Sequence, residues 1–132
     1  MNKNEKEFPL FTGQLSCGLF GISEDFTEEG LSLDQKFMRN KESTFFIRAG
    51  GDSMEPQIRA RDILVVDRSL KLFNNCVAAF YFNGNAICKI YRKTESGIVL
   101  HSLNSKYKDI HIKEHDELEL FGVVVGLVRD LL

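Results

Sequence analysis

A mainly β core behind an extended, partly disordered N-terminal arm is what the sequence predicts, and three observations predict it. From Thr44 onward, β-branched and aromatic runs recur with turn signals between them at intervals of roughly eight to twelve residues, the rhythm of a barrel or sandwich. The pair Asn83-Gly84 stands between two alternating apolar runs and suits the type I′ turn of a two-residue hairpin. Before Thr44 the text changes: Pro9, Gly13, Gly18, Gly21, Gly30 and the acidic stretch Ser23-Glu24-Asp25-Phe26-Thr27-Glu28-Glu29 sit among apolar residues that keep no sustained period.

In chain order, residues 1–40 form the arm and residues 41–132 the core. Within the arm a short helix is expected around Leu31 to Arg39, with Ser32 as its cap and Gln35 three residues on, as in a capping box. The core strands are expected at 44–49, 62–67, 75–82, 85–92, 97–103, 109–112 and 118–128, with 75–82 and 85–92 pairing antiparallel across Asn83-Gly84. The last segment is apolar on both faces. It is either a central core strand or an edge that must be covered, because an open apolar edge aggregates.

Composition narrows the function. At 132 residues and 43% hydrophobic the chain buries one modest core. Its formal net charge of -2 supplies no basic field for nucleic acid, so direct, sequence-specific DNA binding is not expected. Cys17, Cys76 and Cys88 show no metal or redox spacing, which fits reduced thiols in a cytoplasmic protein. Phe8-Pro9-Leu10-Phe11 is too short for a signal-peptide core. The apolar run Phe121 to Val128 is far short of the roughly 18 to 20 residues that span a bilayer, so no membrane association is expected. His111-Ile112-Lys113-Glu114-His115 matches an inverted zinc-peptidase motif, but alternation around it reads as a strand with both histidines exposed, where the motif needs a helix. No metal and no cofactor are expected.

The chemistry centres on Ala49-Gly50-Gly51-Asp52-Ser53-Met54-Glu55-Pro56. Glycines permit positive φ and close backbone approach, and the proline constrains the exit, so Ser53 lies on an enforced bend with its hydroxyl available. In the second arm of the hairpin, alternation puts Lys89 on one face with Ile87 and Tyr91. Burial of that face would desolvate the ammonium and favour the neutral amine, which can serve a serine hydroxyl as general base. Taken singly, Ser53 reads as a turn serine and Lys89 as a solvated strand lysine; the pair carries the hypothesis. A triad of Ser53 with His101 and an aspartate has no motif behind it.

Gly51-Asp52-Ser53-Met54-Glu55-Pro56, Asp62-Ile63-Leu64-Val65-Val66-Asp67, Lys89, Leu103-Asn104-Ser105-x-Tyr107 and Phe121-Gly122-Val123-Val124-Val125 together resemble the LexA and UmuD family of self-cleaving Ser-Lys (S24) peptidases, over about residues 44 to 128. The sequence departs from the family at Arg61, where glycine is usual. The resemblance implies a LexA/signal-peptidase-like β-fold, Ser53 as nucleophile and Lys89 as general base. It also implies self-cleavage at a small residue followed by glycine, and Cys17-Gly18 lies as far before Ser53 as Lys89 lies after it. The oxyanion is assigned to backbone N–H groups of the bend, that of Ser53 first.

The arm holds no pair of amphipathic helices, which points to the short UmuD type of member rather than the repressors with their helix-turn-helix domain. That type implies an SOS-response homodimer, arm loss stimulated by the RecA nucleoprotein filament, and service of the shortened form to a UmuC-like Y-family translesion polymerase. Strand pairing through 118–128 would make the dimer. Phe8-Pro9-Leu10-Phe11 resembles the family's sliding-clamp segment, and a hydrophobic anchor for the arm is the alternative. The competing readings are a non-catalytic dimeric adaptor of the same fold, a fragment of a LexA-like repressor, and a signal peptidase, which would need a membrane anchor.

Overall fold

The structure, a computed structural model, describes residues 7–11 and 27–132. The chain divides into two compact units, Met1–Arg39 and Asn40–Leu132.

In the first unit, β1 (Phe8–Phe11) pairs antiparallel with β2 (Thr27–Leu31), matching Phe8 to Leu31, Leu10 to Glu28 and Phe11 to Thr27. The ladder is irregular between Phe8 and Leu10, where Pro9 has no N–H to contribute. This pairing is absent from the sequence reading. A two-stranded ribbon needs no buried face, so nothing imposes a period of two on its residues. Helix α1 (Leu33–Phe37) begins at Ser32, whose Oγ accepts from Gln35 N at 3.4 Å, as the cap requires. Asp34 in its first turn and Lys36 in its last suit the helix dipole.

In the second unit, β3 (Thr44–Arg48), β4 (Ile63–Asp67), β5 (Val77–Phe82), β6 (Asn85–Thr94), β7 (Gly97–His101), β8 (Ile110–His111) and β9 (Leu118–Val128) form one antiparallel sheet in the order β3-β4-β9-β5-β6-β7-β8. Every strand expected from residue 44 onward is present. The expected 109–112 contracts to the two residues of β8, and β6 runs on to Thr94. At the β5–β6 turn Asn83 (φ 49°) and Gly84 (φ 84°) both take positive φ, as a type I′ turn demands. Asn83 also donates its backbone N–H to Glu117 O and accepts Glu117 N at its side-chain oxygen, both at 2.8 Å, which lashes the hairpin tip to the turn before β9.

The last strand is interior, between β4 and β5, which removes the edge alternative raised for 118–128 and with it the expectation that strand pairing through this segment makes a dimer. Leu118 to Val123 pair with β5, and Val123 to Val128 pair with β4. Gly122 makes this join possible: a Cβ there would fall 2.6 Å from Val66 Cγ1 and 3.2 Å from the Asp67 carbonyl. Two apolar clusters pack against this strand, one taking Leu118, Leu120, Val123 and Val125 from it and the other Phe121, Val124 and Leu127. One is built on Cys76, Ala78, Phe80, Tyr91, Leu100 and Val123. The other holds Leu64, Val66 and Ile90 together with Met54 and Ile58, which follow Ser53 in its loop. Burying each of those two side chains is worth about 1.5–3 kcal/mol, so the turn carrying the serine is held down by the core beneath it.

Candidate active site

The segment from Ala49 to Asp62 is a closed loop. Ala49 N donates to Asp62 O at 2.7 Å and Arg61 N donates to Ala49 O at 2.9 Å, which ties entry to exit. Inside it, Glu55 N bonds Asp52 O at 3.1 Å and Ile58 N bonds Met54 O at 3.0 Å, while Gly51 takes φ +74°. The glycine requirement inferred for the bend is therefore realised at Gly51.

At the loop's exit Asp62, only 2% exposed, accepts Arg59 N at 2.8 Å and both Arg129 Nε (2.7 Å) and an Arg129 terminal nitrogen (2.6 Å). The Arg129 hydrogen bonds hold its carboxyl down to about 2. Arg61 beside it sits at φ 77°, in the left-handed region. That is the physical content of the departure noted there: a side chain occupies a position whose backbone favours glycine, at a cost of roughly 1–2 kcal/mol.

The segment after β7 holds the serine's turn from the other side. Asn104 N donates to Ser53 O and Asn104 Nδ2 to Asp52 O, each at 3.0 Å. Tyr107 donates its hydroxyl to Asp52 Oδ1, and that bond raises the phenol above its ordinary range. Asn104 and Tyr107 belong to the Leu103-Asn104-Ser105-x-Tyr107 motif, which reading the sequence matched without assigning it a task.

Lys89 stands opposite Ala78 in the β5–β6 ladder and is 7% exposed. Burial lowers its pKa from the ordinary lysine value. The burial on which a neutral Lys89 depends is thus present, and the reading of Lys89 as a solvated strand lysine is not. Nζ donates to Ser102 Oγ at 2.7 Å and lies 5.2 Å from the centre of the Tyr107 ring. Ser102 is itself 2% exposed, and sequence reasoning missed it. A signal for it exists: β6 and β7 pair Thr94 with Gly97 and Ile90 with His101, and continuing that register places residue 102 opposite Lys89.

Ser53 and Lys89 line the same cleft, of about 260 Å³, with Gly50, Gly51, Leu64 and Ile87 among its walls. The sheet brings the bend of one hairpin against the face of another, and the cleft opens between them. Cys88 also lines it, but burial pushes that thiol up to about 11, so it presents no thiolate near neutral pH. Cys76 and Cys88 are free thiols. Cys17 and Gly18 lie outside the described residues.

His101 is engaged elsewhere, its Nδ1 2.6 Å from Asp109 Oδ1, and it is not among the cleft's lining residues. His111 lies in β8 and His115 in the turn after it, both exposed, so the zinc-peptidase match falls on a strand and a turn instead of a helix. Among the described residues no helix is long and apolar enough to cross a membrane.

A serine on a tight glycine turn and a buried lysine thus line one cleft of an antiparallel β core, the residue types a Ser-Lys peptidase would need. The chain matches the Peptidase S24-like family model over residues 9–125 and belongs to that family. It is 32% identical to Protein SamA of Salmonella typhimurium over 92% of this chain and 84% of that protein. It is 32% identical to the LexA repressor of Syntrophobacter fumaroxidans over 97% of this chain and 67% of the repressor. With Protein MucA of Escherichia coli it shares 27% identity over 88% of this chain and 80% of the relative. The LexA and UmuD resemblance read from the motifs accordingly stands.

Proposed function

We propose that the chain is a UmuD-like, self-cleaving serine peptidase of the SOS response, in which Ser53 attacks the Cys17-Gly18 peptide bond with Lys89 as general base. The observation that carries this reading is the shared cleft of Ser53 and a buried Lys89. Ser53 Oγ adds to the Cys17 carbonyl carbon as its proton passes to neutral Lys89 Nζ. Collapse of the tetrahedral intermediate breaks the C–N bond while Lys89 returns that proton to the Gly18 nitrogen. Water, deprotonated by the same amine, then hydrolyses the ester on Ser53. The backbone N–H of Ser53 is assigned to the oxyanion.

Because the arm is tethered, the rate depends on how often it occupies the cleft and on how much Lys89 is uncharged. A RecA nucleoprotein filament would act by raising the competent population. On this reading the arm is residues 1–40 and the peptidase and dimerisation domain residues 41–132. The product is a cytoplasmic homodimer serving a UmuC-like Y-family polymerase, with Phe8-Pro9-Leu10-Phe11 available to a sliding clamp until cleavage. The similarity to SamA, MucA and LexA repressors supports this reading.

Intact-mass measurement of the purified chain, held at high pH or beside RecA filaments, should report a product beginning at Gly18. Ser53→Ala and Lys89→Ala chains should stay full length, and cleavage persisting in either removes the pair from the mechanism. Since burial lowers the Lys89 pKa, the unassisted rate should climb with pH through that depressed value and level off above it. A rate flat from pH 7 to about 10 would rule out lysine as the base.

A further inference from the structure

We propose that Ser102 is a positioning residue for self-cleavage: its hydroxyl accepts one N–H of Lys89 and so turns the amine's lone pair toward Ser53. The role rests on the reading of Ser53 and Lys89 as nucleophile and base. A lysine amine ends a flexible four-carbon stem and rotates freely unless something holds it. In its neutral form it has two N–H donors and one lone pair, and only orientations that aim the lone pair at the serine hydroxyl are productive. The 2.7 Å bond to Ser102 fixes one N–H in a place where both side chains are nearly sealed from water.

The holder of the lysine and the holder of the serine are one continuous segment. Ser102 takes Lys89, Asn104 takes the backbone of Ser53 and Asp52, and Tyr107 places its ring near the Lys89 amine while its hydroxyl grips Asp52. A shift of residues 102–107 therefore moves both reacting groups together. Ser102 enters the pair by register alone, as the cross-strand neighbour of Lys89 just beyond the last residue of β7.

The hydroxyl does a second thing. As an acceptor it favours the ammonium, against the burial that favours the free amine. Removing it should misalign the amine and also make it easier to deprotonate. A purely structural serine would lower the rate without moving the pH dependence.

The test measures unassisted self-cleavage against pH in Ser102→Ala, Ser102→Cys and Ser102→Thr chains, beside Lys89→Ala. It adds a Lys89 13Cε NMR titration in the Ser53→Ala background, where the chain stays intact. Ser102→Ala should lower the plateau rate by about 10- to 100-fold, the scale of misplacing a catalytic group, and move both the rate midpoint and the Lys89 titration to lower pH. Ser102→Cys keeps the side chain's shape, with a somewhat larger atom that is a weaker acceptor, and should behave like alanine, so the test survives if the alanine variant folds poorly. Ser102→Thr should restore most of the rate. Full-rate cleavage by Ser102→Ala and Ser102→Cys, with Lys89→Ala inactive, overturns the role of Ser102 alone. A slowed Ser102→Ala or Ser102→Cys with an unmoved titration, or a Ser102→Thr as slow as either, also overturns it. Cleavage by Lys89→Ala overturns the pair itself, and the positioning role with it.

Discussion

The loop that carries Ser53 and the hairpin that carries Lys89 are held in different proportions by bonds and by burial. Beyond the two side chains it buries, Met54 and Ile58, the loop relies on polar ties: a two-bond tie between Ala49 and the Arg61–Asp62 exit, a carboxylate gripped by Arg129, and hydrogen bonds from Asn104 and Tyr107. The hairpin is ladder and burial: full pairing with β5, then β7, over a cluster of Phe80, Tyr91 and Leu100. On the proposed reading the difference suits the two tasks: a nucleophile has to meet a peptide at the cleft, whereas a lysine that is to give up its proton has to be dry, which the packed hairpin provides.

Three perturbations should separate those supports. The largest effect is expected from Leu100→Ala, which opens a cavity under the lysine's hairpin and should cost about 2–5 kcal/mol of stability, read as a lowered urea midpoint with an unchanged slope. A loss below about 1 kcal/mol would show that the hairpin does not depend on that cluster.

Acid should strike the other half. Asp62 has a folded pKa depressed from 3.8 to about 2, so the stability it lends is present above its unfolded value and disappears as pH falls between about 4 and 2. Stability of the Asp62→Asn chain should be flatter than wild type across that window, and equal slopes would discount the Arg129 grip. The smallest effect is a gain: Arg61→Gly relieves a left-handed φ and should stabilise by roughly 1 kcal/mol, less whatever the freer unfolded chain recovers. A destabilised Arg61→Gly would mean that the arginine side chain contributes more than its backbone costs.

Much of this was legible residue by residue. Asn83-Gly84 announced its turn because few residue pairs tolerate two positive φ values, and the β-branched runs announced strands because one face of each had to meet the core. The ribbon of β1 and β2 went unseen since Pro9 breaks its ladder and no buried face orders its residues. Ser102 went unseen for another reason. Its partner is set by the register of β6 on β7, and serine at a strand end has no pattern of its own.

What belongs to the chain's own text is local: which bend needs glycine and which stretches alternate. Those depend on backbone sterics and side-chain spacing within a few residues, so they can be read without the fold; the pairing of Ser53 with Lys89 comes instead from motifs that resemble the LexA and UmuD family. That Lys89 is dry, that its amine rests on Ser102, and that the final strand is interior belong to the assembled sheet. Burial and register are made by segments distant in sequence, and Lys89 acquires its lowered pKa only once those segments close over it.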